Sequence, residues 1–377
     1  MLEVYQSLLI RLRQDKNAWQ EVAHRAIYHE DKRMEDLHYR QRYGVLLCLQ
    51  YDRRDEDHTL VRYLLEEEIK SRRNDPFQGE SSALLLAAFL LGCFNHVEDV
   101  WLLWRAKSAN FDTFFALEHR HLFAAGIEAT LRYVQASDRP EAGAMLHWLR
   151  EETPGPGVPT PAEMEQFRQQ QQQNYPADPS QEETLTLVDR AWELDQIEAG
   201  RRLLDSWEAC QQVTDQMLST LMHARDRLGQ PEQALACAYR LLEMAGTDAR
   251  KRDSAEFNVG RFAVKAGAYE QAWQMLAQIL ESFYQHPERD YLGQHLAILN
   301  LTIGIGQIAP PTHPLRHEAL QKAHALIEQG FSTSYNVLKE MSELARTSGD
   351  TALERRYQAL AATERRRIDR QIAGDRP

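Results

Sequence analysis

Residues 265–276 read KAGAYEQAWQML, with Gly267 and Tyr269 just ahead of Ala272 and Leu276 in an otherwise helical run. Gly267 accepts a backbone conformation that side-chain-bearing residues resist, so it suits a reversal between antiparallel helices. Ala272 is small enough to let two helix axes approach, while Tyr269 and Leu276 supply bulk to fill a groove against a neighbour. The stretch reads as a structural hinge.

Similar turns recur. Residues 194–204, 229–242, 267–280, 313–326 and 349–360 align on Ala199, Ala234, Ala272, Ala319 and Leu353, with separations of 35, 38, 47 and 34 residues. That is the period of a helix pair. These residues resemble the tetratricopeptide repeat family, which places Leu-Gly in its first helix, a Gly at the turn, then an aromatic, an Ala and a bulky apolar residue in its second. Here Val259 and Gly260 stand at the Leu-Gly position, followed by Gly267, Tyr269, Ala272 and Leu276; Glu256 occupies the family's Trp position and Tyr284 its closing Pro position. The resemblance implies a right-handed α-solenoid of stacked hairpins, because one pair leaves an apolar face that the next pair must cover. Weaker copies in the first half align on Val61, Val100 and Ala142, at separations of 39 and 42.

Helical spacing dominates the whole chain and no alternating strand pattern stands out, so the expected class is all-α. The 377 residues are 43% apolar, enough for a large core. Residues 151–183 break the pattern: four prolines and two glycines precede a glutamine run, a composition suited to a linker or mobile insertion. The expected organisation is a helical-hairpin domain over 1–150, this insertion, and a repeat domain with a capping helix over 184–377. The apolar run 81–94 is shorter than the roughly 20 residues a bilayer needs and reads as a buried helix. The N-terminus has no uninterrupted apolar centre of a signal peptide. The scattered cysteines Cys48, Cys93, Cys210 and Cys237 contain no CxxC pair and suit buried reduced thiols of a cytoplasmic protein. A formal charge of −12 argues against a nucleic acid partner.

The candidate chemical motifs each have a plainer reading. GIGQIA at 304–309 satisfies GxGxxA, but Pro310 and Pro311 stop the helix a dinucleotide site requires. His313 and His317 share a four-residue spacing with Pro314 between them and no third ligand, which reads as a helix start. His119 and His121 in EHRH point in different directions on a helix. Trp101 and Trp104 are spaced for packing. No GxSxG, P-loop or protease cysteine signature occurs, so the sequence offers no catalytic residues, no metal and no cofactor.

The resemblance implies recognition of a partner protein on a concave face built from first helices. Family groove positions carry over to Phe257, Arg261, Val264 and Lys265 in the best copy and to His223 and Arg227 in the preceding one. These basic and apolar groups suit an acidic peptide or a carboxylate terminus, unless Arg261 and Lys265 merely pair with nearby acids. Two other readings stay open: a bacterial immunity or antitoxin-type protein that blocks a toxin, and an enzyme or ligand sensor with its site in the N-terminal half.

Overall fold

The computed structural model describes residues 2–28, 34–74, 79, 81–150, 156–286 and 293–374. The protein is mainly helical and divides into two compact units, Met1–Gly200 and Arg201–Pro377. An antiparallel strand pair, Ala26–Tyr28 with Met34–Asp36, is the one sheet among the described residues. Strands of three residues are too short for alternation to register, which is why the sequence pattern misses them.

The first unit contains helices α1 (Glu3–Gln14), α2 (Tyr39–Tyr51), α3 (His58–Asn74), α4 (Ser82–Gly92), α5 (Val100–Lys107), α6 (Phe111–Ala116), α7 (Ile127–Gln135), α8 (Ala142–Arg150), α9 (Pro161–Asn174) and α10 (Thr184–Glu193). Helix α4 is the apolar run expected to be buried, and it packs against α2 and α3. Helix α2 is buried without a break from Arg42 to Gln50. A helix apolar on one face only cannot lie so deep; α2 does so because its polar side chains are paired inside. The fully buried Arg42 donates from Nε to Glu68 Oε1 at 2.7 Å, from Nη1 to the Val22 carbonyl at 3.2 Å, and also to Asp36. Glu68 in turn accepts from Ser81 Oγ at 2.7 Å, the same oxygen that caps α4 by accepting from the Leu84 N–H at 3.0 Å. Burial pushes the Asp36 carboxyl up, but the charge and hydrogen bond of Arg42, with help from His24 and the Arg25 N–H, outweigh it and hold the group well below the usual carboxylate range.

Of the segment 151–183 expected as a linker or mobile insertion, 151–155 lie outside the described residues, and 156–183 are built into the first unit. Thr160 caps α9 through a reciprocal box with Glu163, and Pro161 sits at its first position, where a missing N–H costs nothing. Met164, Phe167 and Gln171 then face inward, and the first two join the core of the first unit. The side chain of Glu182 is buried as well, accepting from Gln50 Nε2 at 2.7 Å and Tyr51 OH at 2.6 Å and pairing with Arg190. This stretch therefore lies within the first unit, and the division falls later, inside α11 (Ile197–Ala209).

The second unit continues through α12 (Asp215–Arg227), α13 (Pro231–Ala245), α14 (Ala249–Lys265), α15 (Tyr269–Gln285), α16 (Gln294–Ile308), α17 (Pro314–Glu328), α18 (Tyr335–Thr347) and α19 (Thr351–Gly374). Each helix packs on the next, and α16 also packs on α14 and α18. Gly229, Gly267 and Gly349 hold φ of 67°, 74° and 79° at the α12–α13, α14–α15 and α18–α19 turns. At each turn an amide reaches back five residues: Gln230 to Arg225, Ala268 to Ala263, and Asp350 to Ala345, at 2.8–2.9 Å. This bond satisfies a carbonyl the helix end leaves open. Of the aligned anchors, Ala234, Ala272 and Ala319 are fully buried, while Ala199 and Leu353 are half-buried.

Glycines set the closest helix contacts. A Cβ on Gly260 would stand 2.8 Å from Leu301 of α16, and one on Gly306 would stand 2.8 Å from Leu344 of α18 and 3.2 Å from the Ala319 Cβ of α17. The Leu344 methyl can rotate away, but the Ala319 Cβ is fixed to its backbone. Gly306→Val is therefore expected to cost about 1–3 kcal/mol by overpacking, read as a lower melting temperature in calorimetry. In the first unit, Arg42→Met leaves two buried carboxylates uncompensated and is expected to cost about 3–5 kcal/mol, measured by urea unfolding followed by tryptophan fluorescence.

Candidate functional site

The recognition residues expected from the sequence fall on α12 and α14 of the second unit. His223 and Arg227 are exposed, four residues apart and hence on one face of α12; Arg261 and Lys265 are exposed with the same spacing on α14. Three of these groups, His223, Arg261 and Lys265, come together around the buried Phe262. The Arg261 guanidinium lies 4.5 Å from that ring's centre, the Lys265 ammonium 5.7 Å and the His223 ring 6.5 Å. Lys265 also bonds Asp226 of α12 at 2.6 and 2.8 Å, so one of the two expected cations does pair with a nearby acid. Burial, followed by the charges of Arg261, Arg227 and Lys265, lowers the His223 pKa against the opposing pull of Asp226.

Phe257 is half-buried one turn ahead of Arg261. Val264 is directed differently: its Cγ1 lies 3.1 Å from the place a Cβ on Gly304 would take, so it serves the contact between α14 and α16. Asp226 and Phe262 organise the patch but were not among the expected positions. Asp226 aligns with Val264 of the next copy, and no spacing rule marks an acid there as the partner of Lys265.

The other motifs resolve into packing. GIGQIA lies at the C-terminal end of α16, where Gly304 and Gly306 make close helix contacts. His313 caps α17, accepting from the Leu315 N–H at 3.2 Å, and its ring meets Tyr269 at 5.0 Å. His119 packs edge-on against Trp148 at 6.4 Å, whereas His121 packs against Phe167 at 4.9 Å, so the two diverge. Trp101 is core; Trp104 meets Trp148 at a tilt, with ring centres 5.3 Å apart. Cys48 and Cys237 are buried as expected, but Cys93 is half-buried and Cys210 is exposed.

The first unit contains a cavity of about 490 Å³ lined by Phe89, Phe167, Tyr175, His121, Gln50 and Cys93, among others. Its aromatic walls with a few polar groups suit a small ligand. Burial pushes the Cys93 thiol up, against the Arg53 charge, which keeps it a thiol and a poor nucleophile. Burial, then the charges of Lys107 and Arg120, takes His121 down to about 3, so its ring is neutral. No helix among the described residues is long and apolar enough to cross a membrane.

Comparison with family models, curated proteins and solved structures gave no match.

The His121 environment has a pH signature. Its folded-state pKa lies below that of the unfolded chain, near 6.5, so the unfolded chain takes up the proton first. The stability that depends on the neutral ring is intact above about pH 6.5 and declines as pH falls toward 3. In urea titrations between pH 7 and 5, above the range of ordinary carboxylates, His121→Phe is expected to show a flatter loss of stability than the wild type. Equal slopes would contradict the assignment.

Proposed function

We propose that the second unit is a right-handed solenoid of tetratricopeptide-like hairpins that binds a partner protein in the cytoplasm, without chemistry, through the face carrying His223, Arg227, Arg261 and Lys265. The observation that carries this reading is the placing of the Arg261 and Lys265 cations of α14 at Phe262, beside the His223 ring of α12. Spacing within one helix puts two such groups on a face, but bringing Arg261 and His223 together requires α12 and α14 to present that face in common. In a chain of net charge −12 a local cationic patch is selective, because the remaining surface repels the acidic ligands that the patch attracts.

The fitting ligand is an acidic peptide segment or a chain's terminal carboxylate. Arg261 lies 4.5 Å from the centre of the Phe262 ring, a contact that limits its freedom and so lowers the ordering cost of pairing its planar fork with a carboxylate. Lys265 already engages Asp226, so an incoming carboxylate replaces an intramolecular pair with an intermolecular one. The exchange costs little, since exposed ion pairs contribute about 0–1 kcal/mol. Phe257 adds apolar area one turn away.

The test is fluorescence anisotropy of a labelled glutamate-rich peptide. The wild-type chain is expected to bind it in a salt-sensitive manner, and the double variant Arg261→Glu, Lys265→Glu to bind about tenfold or more weakly, equivalent to at least about 1.4 kcal/mol. Both side chains are exposed, and circular dichroism of the variant, together with the milder Arg261→Gln, which leaves the pair of Lys265 with Asp226 in place, separates lost binding from lost fold. Equal binding by the two proteins, or no binding by the wild type, overturns this reading.

A further inference from the structure

Two histidines and an aspartate meet in the first unit, apart from the face assigned to peptide binding. His58 opens α3, while His96 and Asp99 belong to the turn between α4 and α5. Asn95 holds φ of 58°, a left-handed conformation that a short polar side chain tolerates, and it turns the chain just before His96. The His58 and His96 rings lie 4.1 Å apart between centres, and His58 Nε2 is 2.7 Å from Asp99 Oδ2. One ligand-type atom from each of the three residues lies within 4.8 Å of the others, a grouping found once among the described residues.

A purely structural knot accounts for part of this. Asp99 is buried, and it joins α5 to α3 by accepting from His58 and, through Oδ1, from Arg62. His96 has no place in that account. Its side chain is 47% exposed, it lies 3.5 Å from the exposed Glu98, and its ring faces another imidazole that it repels whenever both are protonated. Two imidazoles and a carboxylate oxygen converging on one point gain more from a shared cation than from each other.

We propose that His58, His96 and Asp99 bind a single divalent transition metal of the zinc type. Two nitrogen donors and one carboxylate oxygen match zinc, whereas calcium and magnesium ask for more oxygen ligands than the cluster offers. Arg62 occupies the other oxygen of Asp99 and acts as the outer partner that fixes the carboxylate's orientation. Its positive charge opposes the cation, but it meets Oδ1 and leaves Oδ2 directed at His58. Donors about 2.0–2.1 Å from zinc in a tetrahedron stand about 3.4 Å apart, so the bond between His58 and Asp99 opens by about 0.7 Å as metal replaces proton. The exposed His96 ring closes in by rotating about its side-chain bonds. Three protein ligands leave one position for water or an incoming carboxylate, on the solvent side where His96 lies.

The inference is independent of the peptide-binding face and is tested on the untagged full-length chain after chelator treatment. Titration calorimetry with Zn²⁺ is expected to show one equivalent bound with micromolar or tighter affinity, and Co²⁺ to give visible d–d absorption. His96→Ala, a surface change that leaves the fold intact by circular dichroism, is expected to weaken Zn²⁺ binding at least tenfold and to abolish the cobalt band. His58→Gln, which keeps an amide to bond Asp99, is expected to do the same. Absence of one-to-one binding, or unchanged affinity in His96→Ala, overturns the assignment.

Discussion

A helix that ends in the open leaves carbonyls without partners, and α12, α14 and α18 of the second unit meet that constraint in one repeated way. A residue with positive φ follows the helix, and the amide after it reaches back five residues, as Ala268 does to Ala263. The bond closes the helix and fixes the direction in which the next one leaves. Glycine is used at 229, 267 and 349 because it adopts that conformation without strain. Asp195 takes the same conformation at φ of 59° ahead of α11, and the Gln196 amide makes the same bond to Ala191 at 2.7 Å. Once the reversal is set, Gly260 and Gly306 decide how closely α14 approaches α16 and α16 approaches α17 and α18.

The parts of the fold readable in advance are those whose cause is local. Gly267 marks its turn because a positive φ has a residue preference, and Ala234, Ala272 and Ala319 mark buried contacts because small side chains recur where axes meet. What escaped has nonlocal causes. Helix α9 looks like a linker because its glutamines dominate the composition, while two side chains, Met164 and Phe167, decide that it packs. The strand pair is three residues long on each side. His58 and Asp99 are 41 residues apart and meet only after α3 and α5 have docked. On α14 the four expected groove positions were correctly grouped on one helix, but the inward lean of Val264 toward Gly304 depends on α16, and the bond from Lys265 to Asp226 depends on α12.

Charge serves two ends in this protein, shown by Arg42 in the first unit and by Arg261 and Lys265 in the second. In the first, Arg42 is enclosed and answered by Glu68 and Asp36, so its charge is spent on organising the interior and is not available to a ligand. In the second, Arg261 and Lys265 remain at the surface, and the ring beneath them limits their freedom without neutralising them. The former arrangement specifies how α2, α3 and the strand pair assemble; the latter leaves charge facing water at the start of a recognition event.

Arg316, near the start of α17, is buried and spans helix ends that are distant in sequence: it donates to the Ala309 carbonyl at 3.0 Å and the Gln307 carbonyl at 2.9 Å at the end of α16, and to the Thr347 carbonyl at 3.4 Å at the end of α18. Fraying of either end takes partners away from a buried guanidinium, which couples the two ends. The last turns of these two helices therefore exchange their amide hydrogens in concert, as one cooperative block, where isolated helix termini ordinarily loosen independently.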